Sequence, residues 1–140
     1  MMIEARGERE IVLRLSDGED VLDGLRSVDV ESAVIVGGIG MIRDARLGYW
    51  NGSDYEEHQV SDPVELLCLQ GNLGHLDGES IAHCHVAVAR RDGTVTGGHL
   101  LAATVANTAE IVLGLPAGIV LDRKTEPSGL AGLYPRSRAG

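Results

Sequence analysis

Three of the five histidines of the chain, His83, His85 and His99, fall within one 21-residue stretch, Ile81 to Leu101. His83 and His85 stand two apart in an apolar run, I-A-H-C-H-V-A-V-A, that reads as a strand. Alternate strand residues share a face, so both imidazoles point one way and Cys84 points the other. Three imidazoles on one face make a metal site with a position left open, whereas closed structural sites use four protein ligands. Zinc suits this donor set, and nickel, copper and iron also accept imidazole. An isolated His-x-His on a half-buried strand is more often structural than a ligand pair, so the argument turns on His99.

The register of the hairpin decides whether His99 joins the pair. A two-residue loop, Asp92-Gly93, sets His85 against Leu100 and turns His99 to the opposite face. A three-residue loop, Arg91-Asp92-Gly93, sets Arg90 against Thr94 and His85 directly against His99, with His83 as the diagonal neighbour. Three-residue loops favour a type I turn closed by a left-handed residue, and Gly93 occupies that position. Directly opposed Cβ atoms lie about 4.5–5.5 Å apart and diagonal ones about 7–8 Å, within imidazole reach of one ion. A bulge at Gly97-Gly98 also restores the register to the shorter loop. The three-residue loop is the favoured reading.

The elements that must carry this hairpin are short. Glu8–Ser16 reads as a first strand, and Ser16-Asp17-Gly18 as a turn into an amphipathic helix over residues 17–28, with Val21, Leu22 and Leu25 at helical spacing. Ala33–Val36 is an apolar strand, followed by a bend or bulge at Gly37-Gly38-Ile39-Gly40 that lacks the full dinucleotide pattern. Asp44–Trp50 and Tyr55–Val60 are strands joined at Asn51-Gly52. Val64–Gln70 is a strand, residues 72–80 a polar loop, and Thr108–Leu113 a further strand. The residues after Asp122, rich in Gly, Pro and Arg, resemble a surface wrap or tail. The expected fold is α+β, a mainly antiparallel sheet of about seven strands with one or two flanking helices, in a single domain spanning 1–140.

Composition narrows the function. The core must come from Val, Leu, Ile and Ala, because there are three Tyr, one Trp and no Phe. A formal charge of −9, with scattered Arg and Lys, argues against direct nucleic-acid binding. No apolar run reaches the roughly 18 residues of a membrane span, and the start lacks an apolar signal region, so a cytoplasmic protein is expected. Cys68 and Cys84 do not make a disulfide framework, and both read as small buried hydrophobes.

The remaining polar candidates are weaker. Glu65 sits in an apolar strand, where a lone carboxylate is costly to bury unless paired. It is either an outward edge residue or a partner that orients an imidazole or acts as a base beside the site. Glu110 poses the same question at lower odds. His75 reads as a solvated loop residue, His58 as a surface-strand residue, and Arg43 and Arg46 as exposed or interface ion-pair residues. No Ser-His-Asp arrangement and no reactive-cysteine environment is present, so whether the chain is an enzyme stays open.

Three segments carry a resemblance to a known family: V-I-V-G-G-I-G-M-I-R-D-A-R-L-G-Y-W at 34–50, P-V-E-L-L-C-L-Q-G-N-L at 63–73, and H-C-H-V-A-V-A-R-R-D-G-T-V-T-G-G-H-L at 83–100, the last followed by T-A-E-I-V-L-G-L at 108–115. The spacing of H-x-H, D-G and G-G-H-L is similar to that of the plants-and-prokaryotes-conserved (PPC) domain. That resemblance implies a homotrimer, with zinc held by the histidines matching His83, His85 and His99. Plant members join this domain to an AT-hook, but this chain has no Arg-Gly-Arg-Pro core, so it resembles a stand-alone prokaryotic member. Two functions follow as expectations: a trimeric metalloprotein that activates water or binds a small ligand, or a non-catalytic protein-association domain.

Overall fold

Ile11, Leu13 and Leu15 occupy alternate positions of E-I-V-L-R-L-S and are fully buried, so this segment forms a half-buried strand. It is β2 (Glu10–Ser16) of a computed structural model that describes residues 1–139. Asp20 caps the helix that follows, its carboxylate accepting from the Asp23 amide at 2.8 Å. That helix, α1 (Val21–Arg26), buries Val21, Leu22 and Leu25. It is shorter than the expected span because the capping begins at Asp20 and the chain leaves the helix at Ser27. Gly24 lets the helix sit close on β2, where an added Cβ would lie 2.8 Å from a Leu15 methyl.

The sheet is larger than the sequence suggested. Among the described residues there are nine strands and this one short helix, against about seven strands with one or two flanking helices. Expected strands merge into longer ones, and further strands form where none was expected. Glycine-rich stretches expected to end strands pass through them as bulges, which bend a strand while its ladder continues. Thus β3 (Ala33–Trp50) runs through Gly37–Gly40 with register shifts at Ile35/Gly37 and Gly40/Ile42, and Gly40 takes φ 142°. The strand β5 (Val64–Leu76) continues through Gly71, and β7 (Val95–Gly114) joins the His99 run to Thr108–Leu113. The unexpected strands are three: β1 (Ile3–Arg6) and β9 (Ala131–Ser137) at the two edges of the sheet, and β8 (Ile119–Thr125) beside β9.

Two expected loops are hairpins. Asp77-Gly78 makes a two-residue turn, with φ of 50° and 81°, joining β5 to β6 (Glu79–Ala89) where a polar loop over residues 72–80 was expected. The stretch after Asp122, expected as a tail or wrap, completes β8 (Ile119–Thr125) and pairs with it as β9. Strand β4 (Tyr55–Val60) falls where expected, the Asn51 side chain accepting from the Ser53 and Asp54 amides in the preceding turn.

The path β1-β2-β7-β3-β5-β8-β9 orders the sheet, with β4 on β3 and β6 bridging β5 and β7. Because β3 pairs β5 and β7, and β6 pairs the same two, these four strands close on themselves. The sheet is antiparallel apart from one contact of β5 with β8 at His75 and Asp122. Helix α1 packs against β6 and β7, and Cys84, Val86 and Val88 of β6 join its apolar face in one core.

Candidate metal centre

The β6–β7 turn fixes the site. Arg90 N donates to Thr94 O at 2.9 Å, Gly93 N to Arg90 O at 2.8 Å, and Gly93 takes φ 85°. Asp92 Oδ1 accepts from both the amide (2.9 Å) and the hydroxyl (2.7 Å) of Thr94. This is the three-residue loop, and from it the ladder counts Ala89 to Val95 and onward until His85 faces His99. The same hairpin tolerates close strand approach because Gly97 lies over the Val86 carbonyl, where a Cβ would overlap it.

The three imidazoles converge. Ring centroids are 5.1 Å apart for His83 and His85, 5.1 Å for His83 and His99, and 5.5 Å for His85 and His99. One nitrogen from each lies within 4.8 Å of the others. Cys84, between them in sequence, is buried on the opposite face. His85 is exposed, so one side of the cluster opens to solvent, while His83 and His99 are partly buried.

The surroundings favour the neutral form of His83 and His99. Burial, then the Arg123 guanidinium, then His99 and His85 push His83 down to about 4. Burial and His85 lower His99 as well. Neutral imidazole is the ligating form. Tyr55, from the start of β4, stacks on His99 with centroids 4.7 Å apart and planes 17° apart, which fixes the ring. His99 Nδ1 is buried without a hydrogen-bond partner among the described residues. A buried nitrogen with no protein partner, in a cluster of three converging imidazoles, is the donor arrangement a borderline transition-metal ion takes.

Two neighbours escaped the sequence reading. Arg123, in β8, is 7% exposed. Its Nη1 donates to Ala131 O at 2.8 Å, and its Nη2 donates to Asn72 Oδ1 at 2.6 Å and reaches His83 Nδ1 at 3.3 Å. Only the fold brings β8 over β5 and β6, so Arg123 left no local signal. Tyr55 was read as a strand residue, with nothing to mark its stack on a histidine 44 positions away.

The other candidates lie apart from the triad. Glu65 is exposed and pairs with Ala89, four residues along β6 from His85, so it is the outward alternative of the two expected. Glu110 is exposed opposite Arg14. His75 Nδ1 lies 2.9 Å from the Glu31 carbonyl oxygen, and His58 Nε2 lies 3.4 Å from Thr96 Oγ1. Arg43 and Arg46 pair with Asp44 and Glu57. Cys68 is exposed, not buried as expected, because it follows a register shift on β5; both cysteines are free.

Comparison with known proteins finds relatives of this chain and of its fold. The Plants and Prokaryotes Conserved (PCC) domain model matches residues 2–115. The crystal structure of a plant- and prokaryote-conserved (PPC) protein from Pyrococcus horikoshii is 28% identical, with a TM-score of 0.81, covering 96% of this chain and 94% of that one. A protein from Archaeoglobus fulgidus described as metal-containing is 27% identical, with a TM-score of 0.80, covering 96% and 98%. The bifunctional protein GlmU of Synechococcus sp. (strain JA-3-3Ab) is 31% identical over 121 residues, 83% of this chain but 18% of that protein's length.

Proposed function

This chain belongs to the Plants and Prokaryotes Conserved (PCC) domain family, and from that premise we propose that it is a metalloprotein holding one divalent ion, zinc by donor preference, on His83, His85 and His99. One observation carries the reading: three imidazoles converge, each offering a nitrogen within 4.8 Å of the others, and among the described residues the cluster includes no fourth protein ligand. The metal-containing relative from Archaeoglobus fulgidus supports it. An ion held there supplies Lewis acidity to whatever takes the open position. The chain's own residues do the rest: Tyr55 and the hairpin orient the rings, and the exposed His85 side admits a small ligand. The role is ligand binding or water activation in a cytoplasmic setting. Among the described residues no helix is long and apolar enough to cross a membrane.

The test is elemental mass spectrometry of protein purified without a His tag. About one zinc per chain, lost when His83 and His85 are replaced by Ala, is the expected result. No metal after zinc is supplied would overturn the reading.

A second reading, a non-catalytic homotrimeric association domain, is favoured by one specific feature. Val12, Val36, Ile39 and Val112 are exposed on one continuous apolar surface of β2, β3 and β7. Exposed apolar patches of this kind mark association surfaces. Sedimentation of the wild type and a Val36→Glu/Ile39→Glu variant separates a trimer built on this face from a monomer. The net charge of −9 disfavours direct DNA binding under either reading.

A further inference from the structure

A pocket of about 240 Å³ opens beside the triad. His83, His99, Arg123 and Tyr55 form its polar wall, and Ile81, Leu130 and neighbouring alanines its apolar wall. No Asp or Glu lines it. Arg123 is more than nine-tenths buried there, and among the described residues it has no carboxylate partner within ion-pair distance. Its Nε has no hydrogen-bond partner. Buried guanidinium groups are rarely left without an anion, because the desolvated charge is costly.

Loading the triad makes this imbalance larger. A guanidinium only donates, so its contact at 3.3 Å uses a lone pair on His83 Nδ1. A neutral imidazole has one lone pair and one N–H. If His83 ligates through Nδ1, that lone pair goes to the ion. If it ligates through Nε2, Nδ1 carries the proton and cannot accept. Either way Arg123 loses its acceptor at His83, leaving the Nε hydrogen, one Nη1 hydrogen and one Nη2 hydrogen without partners among the described residues. Asn72 and Ala131 still hold the group in place. The loaded pocket then carries the divalent charge and the guanidinium charge with no protein anion to offset them.

We propose that this pocket is the binding site of a small organic carboxylate, whose anionic end meets the Arg123 guanidinium beside His83 and His99 and whose short apolar body lies against Ile81 and Leu130. A carboxylate has two acceptor oxygens in a plane, which match two guanidinium donors. A pocket of about 240 Å³ suits the head of a small acid. Arg123, Leu130 and Ala131 come from the β8–β9 segment, beyond residues 2–115 that the family model matches, and complete the pocket over the triad.

The proposal rests on the metal reading for its affinity but not for its recognition, so two arms separate them. The first titrates the cobalt(II)-loaded protein with propionate and with neutral propionamide, following the visible cobalt spectrum. Propionate should shift the spectrum and propionamide should not. Arg123→Gln should keep about one cobalt per chain yet bind propionate roughly tenfold or more weakly, as loss of a charge-assisted contact implies. The second arm follows the Arg123 Nε–H resonance of the metal-free wild-type chain by nitrogen-15 NMR. Propionate should move that resonance and propionamide should leave it in place. A chain that binds no cobalt but passes the second arm loses the metal reading and keeps the carboxylate site. Equal responses to the acid and the amide in the wild type overturn the site, even where Arg123→Gln fails to fold. An unchanged propionate affinity in a folded Arg123→Gln variant does the same.

Discussion

His85 stands directly opposite His99 across the β6–β7 ladder, the two rings 5.5 Å apart and nearly perpendicular, at 89°. This pairing exists because the loop between the strands has three residues, and a loop one residue shorter would have turned His99 to the other face. The convergence of the three rings is thus set by the backbone of a surface turn.

Zinc should stabilise the fold by mass action. With free zinc near a hundredfold above its dissociation constant, the gain is ~2.7 kcal/mol, on the order of 10 °C in Tm for a chain of this size. His99→Ala should show no zinc-dependent shift in differential scanning calorimetry. A wild-type Tm indifferent to both zinc and chelator would count against the site.

Acid should weaken the metal-free fold over a defined window. The His83 imidazole titrates near 4 in the folded chain instead of at its ordinary 6.5, so the unfolded chain takes up this proton first as the pH falls. Stability from this group is complete above 6.5, declines between there and about 4, and loses nothing further below. His99, also lowered, acts in the same direction. Denaturant midpoints at about pH 7 and about pH 4.5 should differ in the wild type and differ less in His83→Gln. An NMR titration placing His83 near 6.5 would remove the basis of this prediction.

Gly71 is needed where β5 crosses the His83 carbonyl. It takes φ 151°, and an added Cβ would overlap that oxygen. Gly71→Ala should therefore cost about 2–4 kcal/mol in chemical denaturation and weaken metal retention by displacing β6. Gly52→Ala is the control: it also has positive φ, at 102°, but nothing lies within 4 Å of the added carbon. Similar costs for the two would mean that the close approach does not matter.

The two thiols should react very differently. Burial pushes the Cys84 thiol up to about 12, and the residue is inaccessible, whereas Cys68 is exposed. A chromogenic disulfide reagent should modify about one thiol per native chain quickly, and Cys68→Ser should abolish that phase. A fast phase surviving in Cys68→Ser would show that β6 opens readily.

The hairpin was legible because everything that sets it is local. His83 and His85 share a face by strand alternation, and Asp92-Gly93 with Thr94 carries the turn chemistry that selects the register. The strand Tyr55–Val60 was legible for the same reason. The sheet was harder to read. Gly37–Gly40 and Gly71 look like strand ends in sequence, yet the ladder continues through them, since a glycine bulge bends a strand without ending its pairing. The Asp77-Gly78 turn carried a hairpin signal that the polar residues around it obscured.

Sequence by itself therefore determined the triad: three imidazoles brought together by strand period and one turn, interactions that span at most 16 residues. Tertiary structure alone decided what surrounds it. Arg123 comes 40 residues after His83, and Tyr55 comes 44 before His99, so no periodicity links them. They meet the triad only because β4 folds onto β3 beside β7, and because β8 docks on β5. Those pairings bury Leu47 and Leu100 where β3 meets β7, and Leu73 and Leu121 on β5 and β8, a balance of non-local contacts that no short window of sequence contains.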